Sequence, residues 1–253
     1  MRLWVAVVGG VVLLAAALIA AAPASLLDAR LASISGDRVR IAGASGTLWR
    51  GSGDLVASGS GVREHIAWRL APWALLRGEA RGTITTDVDR GGSFVVSRNR
   101  IELEGLDWAM PMEALLRAAG APSLVAAAGG DFGIHVDRFI RDDDALDVAL
   151  AARWRNASLP ALGPFARVIL GDVRVEMSGR GREVSGPLTN TGGEVEIDGT
   201  VTAVAGGAPR VEASIRPRAG IDRERAASLA AALSTLGQRD SQGGYRIAWP
   251  VAR

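Results

Sequence analysis

Asp172-Val173-Arg174-Val175-Glu176-Met177 is the stretch that decides the fold. Apolar side chains occupy every second position, and each position between carries a charge. Successive side chains of a β-strand point to opposite faces, so this hexapeptide buries one face and wets the other. The same alternation recurs outward in both directions. Before it stand Val39-Arg40-Ile41, Thr83-Ile84-Thr85-Thr86-Asp87-Val88, Ser93-Phe94-Val95-Val96, Gly133-Ile134-His135-Val136 and Leu146-Asp147-Val148-Ala149-Leu150. After it stand Glu194-Val195-Glu196-Ile197-Asp198, Val211-Glu212-Ala213-Ser214-Ile215 and Tyr245-Arg246-Ile247-Ala248-Trp249. Strands with one apolar face belong to antiparallel sheets rather than to parallel sheets covered on both sides. The 32 glycines, with Asp and Asn, punctuate these runs as turns.

Helices are expected to be few and short. Pro111-Met112-Glu113-Ala114-Leu115-Leu116-Arg117 opens on a proline, which suits a first helical turn, and stops near Gly120. Asp222 to Leu236 is the clearest helix: Asp222 is the expected N-cap, Leu229, Leu233 and Leu236 share a face, and Gly237 closes the end. Residues 23–38 form a short helical segment ending at Gly36.

Ahead of that segment, Leu3 to Ala22 is a run of 20 uncharged residues. At about 1.5 Å per residue it spans about 30 Å, the depth of a bilayer's hydrocarbon core. Arg2 precedes it and many charges follow, which favours an inward N-terminus and an exported remainder. The competing reading is a cleaved signal peptide, with Ala20-Ala21-Ala22 offering small residues for cleavage. The run exceeds the usual signal core of about 7–15 residues, and Pro23 hinders cleavage beside it, so the anchor is preferred. The expected organisation is a transmembrane anchor over 1–22, a juxtamembrane segment over 23–38 and a β-rich periplasmic domain over 39–253. The fold class is therefore mainly β: a transmembrane helix, then a curved antiparallel sheet with a few short helices.

Two faint repeats suggest that the sheet has related halves, 39–128 and 131–253, split near Gly129-Gly130. Trp68 to Arg77 resembles Trp108 to Arg117, each with a Trp ahead of Leu-Leu-Arg at equal spacing. Thr47-Leu48-Trp49-Arg50-Gly51-Ser52 echoes Ala152-Arg153-Trp154-Arg155-Asn156-Ala157. A chance match of common residue types is the alternative. Tryptophan often anchors contacts, although most tryptophans here are expected to pack in the core or at sheet rims. Trp73, beside Pro72 and ahead of Leu75-Leu76, is the candidate for contact with a partner or a membrane surface.

The residues offer little chemistry. The formal net charge is +2, with 29 basic residues, all Arg, interspersed with 27 acidic ones. A nucleic-acid binder would need a basic face, so none is expected as a partner. The absence of Cys excludes disulfides and Cys-ligated zinc. His65 and His135 are the only histidines, and neither a His-Glu-x-x-His pair nor a Gly-x-Ser-x-Gly elbow accompanies them. Each lies in a strand-like run, and both are expected to pack on a surface or across strands. Asp142-Asp143-Asp144 reads as a solvated hairpin turn rather than a calcium loop, because it leads straight into a strand. Neither catalytic residues, nor metal ligands, nor cofactor are expected, and the protein is read as non-enzymatic.

Gly46-Thr47-Leu48-Trp49-Arg50-Gly51-Ser52-Gly53 lies shortly after the apolar N-terminal run. Ile66-Ala67-Trp68-Arg69-Leu70-Ala71-Pro72 follows, and then Leu75-Leu76-Arg77-Gly78. This ordered set resembles the type II secretion system protein N family (general secretion pathway protein N). Ser185-Gly186-Pro187-Leu188 and the Leu-rich helix ending at Leu236-Gly237 resemble its second half. The acidic stretch Asp142–Asp147 departs from the pattern. The resemblance implies a single-pass protein of the cell inner membrane, N-terminus cytoplasmic and bulk periplasmic. It implies an accessory role in moving folded proteins from the periplasm across the outer membrane. The implied partners are other secretion components, namely the inner-membrane platform or the secretin. Gly46, Thr47, Trp49, Gly51, Trp68, Pro72, Leu75 and Leu76 are carried as structural motif residues, with Gly46 and Gly51 permitting close approach around a buried Trp49. A distant likeness to AsmA-like proteins gives the alternative: lipid handling, with acyl chains bound in an apolar groove.

Overall fold

A computed structural model describes residues 21–57, 63–86, 90–118, 128–160, 167–240 and 243–249. The expected anchor lies outside the described residues over its positions 3–20. Among the described residues no helix is long and apolar enough to cross a membrane. The protein is mainly β, with antiparallel strand pairs and a few short helices. It divides into two compact units, Met1–Gly91 and Gly92–Arg253.

The first unit contains α1 (Ser25–Ser35), β1 (Val39–Gly46), β2 (Arg50–Ala57), β3 (Arg63–Leu70), α2 (Pro72–Leu75) and β4 (Ala80–Thr86). Its strands pair antiparallel in chain order, with Val39 opposite Ala57 at one end of the first pair and Gly46 opposite Gly51 at the other. Asp28 of α1 accepts from the guanidinium of Arg40 and from the backbone N–H of Ile41, both at 2.8 Å, and so fastens α1 along β1. Ile41, Ile66 and Trp68 are buried, and they alternate with half-buried and exposed neighbours as period-two packing requires. β3 contains the strand-like run around His65, whereas β2 shows no alternation in the sequence. The glycines of Arg50-Gly51-Ser52-Gly53 replace the apolar residues that would have shown the alternation.

The second unit runs β5 (Gly91–Val96), β6 (Ile101–Pro111), α3 (Met112–Ala118), β7 (Gly129–Arg141), β8 (Leu146–Leu159), β9 (Val168–Gly181), β10 (Glu183–Thr191), β11 (Val195–Val204), β12 (Arg210–Pro217), α4 (Arg223–Leu236), β13 (Gln238–Arg239) and β14 (Tyr245–Trp249). The strands neighbour one another in chain order as far as β12, which pairs with β14, and β13 lies beyond. Gly129-Gly130, the expected seam between halves, opens β7, and the register shifts between Gly129 and Asp131 opposite β8. The compact units divide between Gly91 and Gly92.

Among the described residues, two apolar clusters pack within this unit. Ala157, Leu170, Val195, Ile197, Ala213 and Leu229 form one, and Leu146, Val148, Met177 and Val184 the other. α4 begins as expected: the Asp222 carboxylate accepts from the backbone N–H of Arg225 at 3.1 Å. Leu229 and Leu233 are its buried residues named in the expected stripe, and Gly237 ends it in an extended conformation rather than a left-handed one. Asp142 closes the β7–β8 turn, its carboxylate accepting from the N–H groups of Asp144 (3.1 Å) and Ala145 (2.7 Å).

Candidate functional site

The motif residues assemble at one end of the first unit. Thr47 caps the β1–β2 turn: its hydroxyl accepts from Arg50 N at 3.1 Å, and its own N–H donates to Arg50 O at 2.9 Å. Gly46, at φ 86°, occupies the left-handed region, and a Cβ there would lie 2.6 Å from Arg50 O. Gly51 stands opposite Trp68 across the β2–β3 pair, and a Cβ on it would lie 2.6 Å from the indole Cζ2. Trp68 is only 4% exposed and donates its Nε1–H to Leu48 O at 3.1 Å. The glycines therefore make room around a buried indole, but that indole is Trp68; Trp49 is half-buried, which corrects the expected burial of Trp49. The β2–β3 register places Trp68 opposite Gly51, whereas Trp49 lies in the turn before β2.

Three further hydrogen bonds gather the neighbouring chain. Leu48 N donates to Ala22 O (2.7 Å), Ala24 N to Gly46 O (3.3 Å) and Leu70 N to Trp49 O (2.7 Å). Pro72 then opens α2, where its missing N–H costs nothing. α2 is short and turns one side outward: Trp73 is 76% exposed, Leu76 79%, and Leu75 is exposed as well. Ala74 between them is buried. The other copy of the motif folds alike, with Trp108 near the end of β6, α3 following, and Ala114 buried at the position equivalent to Ala74. There, however, Leu115 and Leu116 are half-covered.

On the face of β1–β4 lies a shallow polar depression of about 520 Å³, lined by Ser45, Arg50, Ser52, Arg69, Thr83 and Thr85 among others. Arg50 and Arg69 face each other directly across β2 and β3.

Several ionisable groups outside this region are held in structural pairs. His65 Nδ1 lies 2.9 Å from Asp54 Oδ1, and Arg63 donates to Asp54 Oδ2 at 3.0 Å. These hydrogen bonds, that of His65 foremost, hold the Asp54 carboxyl below its ordinary value. His135 sits on β7 with Asp137 at 3.2 Å and half its side chain in solvent. Asp147 is gripped by Arg180 and Arg138, which likewise depress its pKa, Arg180 most. Arg225 of α4 forms a two-pronged pair with Glu194, both contacts at 2.8 Å, and Ile169 N donates to the same carboxylate at 3.0 Å. Arg225 is the main cause of the lowered Glu194 pKa, against the opposing effect of burial. Among the described residues no group of three or more His, Asp or Glu is placed to hold a metal ion.

The second unit carries an apolar cavity of about 340 Å³ that sequence reading did not locate. Phe132, Leu170, Val175, Ile197, Val211 and Ile247 are among its lining residues, contributed by β7, β9, β11, β12 and β14. Trp154 borders it and donates its Nε1–H to Gly129 O at 2.9 Å, so the indole presents only carbon to the cavity's apolar neighbours. The signal was available only in part. Each strand shows its own alternation, but adjacency of these positions depends on the inter-strand register.

The model of a family described as type II secretion system (T2SS), protein N matches residues 37–248. No match was found among curated proteins or among solved structures.

Proposed function

The chain belongs to the type II secretion system protein N family, and on that premise we propose that it is an accessory inner-membrane component of that system. It supports export of folded proteins from the periplasm across the outer membrane through protein–protein contacts, without catalysis of its own. The observation that carries this reading is the family match over residues 37–248, most of the chain. Deletion of the gene is expected to reduce the amount of exported enzymes in the culture medium and to leave them in the periplasm. Complementation by the full chain restores export; export unchanged by deletion removes the proposed role. Protease digestion of spheroplasts is expected to cut the domain over 39–253, whereas protection of that domain would remove the proposed orientation.

A second reading has a specific observation in its favour. The 340 Å³ cavity lies within the range of about 300–1,000 Å³ typical of small-molecule sites, and its lining is almost wholly apolar. Lipid handling, with an acyl chain seated against β8–β12, fits that lining. Native mass spectrometry followed by lipid extraction is expected to recover phospholipid if this reading holds. A chain purified from membranes with no recoverable lipid would exclude it.

A further inference from the structure

We propose that the α2 end of the first unit rests on an anionic phospholipid bilayer, the same bilayer that residues 3–22 are read to enter. The proposal rests on that anchor reading, and three observations inside the first unit point to it.

The first is the apolar tip. Trp73, Leu75 and the capping Leu76 are exposed on and just after a helix of four residues whose only buried member is Ala74. In the repeated copy the equivalent leucines, Leu115 and Leu116, are half-covered. The exposed pair is thus not demanded by the motif's own packing. A tryptophan with two leucines is the set of side chains that settles at the boundary between headgroups and acyl chains.

The second is charge. Arg50, Arg69 and Arg77 are exposed around this tip, and among the described residues none of the three is in an ion pair; Arg81 nearby has Glu79 at 3.8 Å. Arg50 lies directly opposite Arg69. Like charges facing each other across a strand pair are unfavourable unless an anion is shared between them. The hydroxyls of Ser45, Ser52, Thr83 and Thr85 line the same depression as these two guanidinium groups. Arginine forks suit phosphate oxygens, and long arginine stems reach toward a headgroup plane from an apolar contact.

The third is where the chain arrives. Ala22, the last residue of the apolar run, accepts from Leu48; Trp49, next in sequence, accepts from Leu70; and α2 starts two residues after Leu70. The apolar run therefore ends within the hydrogen-bond set that carries α2. The opposite end of the unit, where Val39 faces Ala57, lies about 25 Å away along an eight-residue strand. Ile34 sits near that far end and is exposed too, but among the described residues no other exposed large apolar side chain lies at that end.

The absence of cysteine makes a direct test simple. Full-length Leu76→Cys and Ile34→Cys chains, each carrying one environment-sensitive fluorophore, are placed in nanodiscs of phosphatidylcholine with or without phosphatidylglycerol. A quencher attached to the lipid acyl chains is expected to quench the label at 76 at least several-fold more than the label at 34. The difference grows with phosphatidylglycerol and shrinks when Arg50, Arg69 and Arg77 are all changed to Gln. Trp73→Cys provides a second labelled position, and circular dichroism checks that each variant is folded. Equal quenching at 76 and 34 overturns the proposal. So does protection of position 76 that develops only when other secretion components are added, since that assigns the surface to a protein partner. A chain recovered in the soluble fraction overturns the anchor reading alone; the label's response to added vesicles then still decides the docking.

Discussion

Gly51 lies across from Trp68 in the β2–β3 pair so closely that a methyl group on Gly51 would stand 2.6 Å from the indole and would also meet Ser45 O. The clash involves backbone on one side and a buried ring on the other, so neither can yield cheaply. Gly51→Ala is expected to destabilise the protein by about 1–3 kcal/mol, the usual cost of overpacking a filled site. Gly133→Ala is the comparison, because nothing there lies closer than 3.8 Å. Chemical denaturation is expected to show a loss for the first variant and a change within about 0.5 kcal/mol for the second.

Trp68→Phe tests the other half of that relationship. The phenyl ring keeps much of the apolar contact but leaves Leu48 O without the 3.1 Å indole bond. The expected cost is about 1–3 kcal/mol, from an acceptor left unpaired. A midpoint unchanged from the parent protein would mean that Leu48 O finds water instead.

Glu194 and Arg225 give the second unit a pH dependence of definite sign. The pair and the Ile169 N–H hold Glu194 below the ordinary glutamate value of 4.5 when folded. The unfolded chain then binds the proton more readily than the folded one. The stabilisation is complete above that ordinary value and is lost as pH falls through the lower folded value. Glu194→Gln is expected to cost about 1–3 kcal/mol at pH 7. Its disadvantage relative to the parent should shrink as pH is lowered below 4.5. Denaturation curves at pH 7 and in the acid range check both; parallel pH profiles would show that the pair contributes nothing.

Leu229 joins α4 to the cluster of Ala157, Leu170, Val195, Ile197 and Ala213. Leu229→Ala removes buried side-chain volume that several elements surround, and is expected to cost about 2–5 kcal/mol. The measurement is equilibrium unfolding followed by far-ultraviolet circular dichroism.

Ala152 borders the apolar cavity and is small. Ala152→Trp is expected to fill much of the 340 Å³ and to reduce binding of an apolar fluorescent probe to the purified chain. Equal probe binding by parent and variant would place the probe elsewhere.

The strands with apolar residues at every second position were legible because that period is local. Asp172–Met177 lies within β9 and Val211–Ile215 within β12 with no help from the rest of the chain. The α4 cap at Asp222 was legible for the same reason, since the side chain bonds a backbone group three residues on. β2 and β10 were not, because Gly51, Gly53 and Gly186 lie where backbones approach too closely for a side chain, which erases the apolar pattern. The candidate surface was legible in Trp73 alone. The bare guanidinium pair of Arg50 and Arg69 is separated by 19 positions in the chain and becomes a pair only through register.

By itself the sequence determined the β class, the starts of its principal helices, the acidic hairpin turn and the ordered motif of the family, all of which depend on residues near one another in the chain. Tertiary structure alone decided that Trp68 is buried while Trp49 is only half-buried, that Leu75 and Leu76 face outward while Leu115 and Leu116 are half-sheltered, and that residues of β7 to β12 and β14 converge on one apolar cavity. Burial depends on which strand lies opposite, and a shift of one residue in that pairing would exchange the two faces.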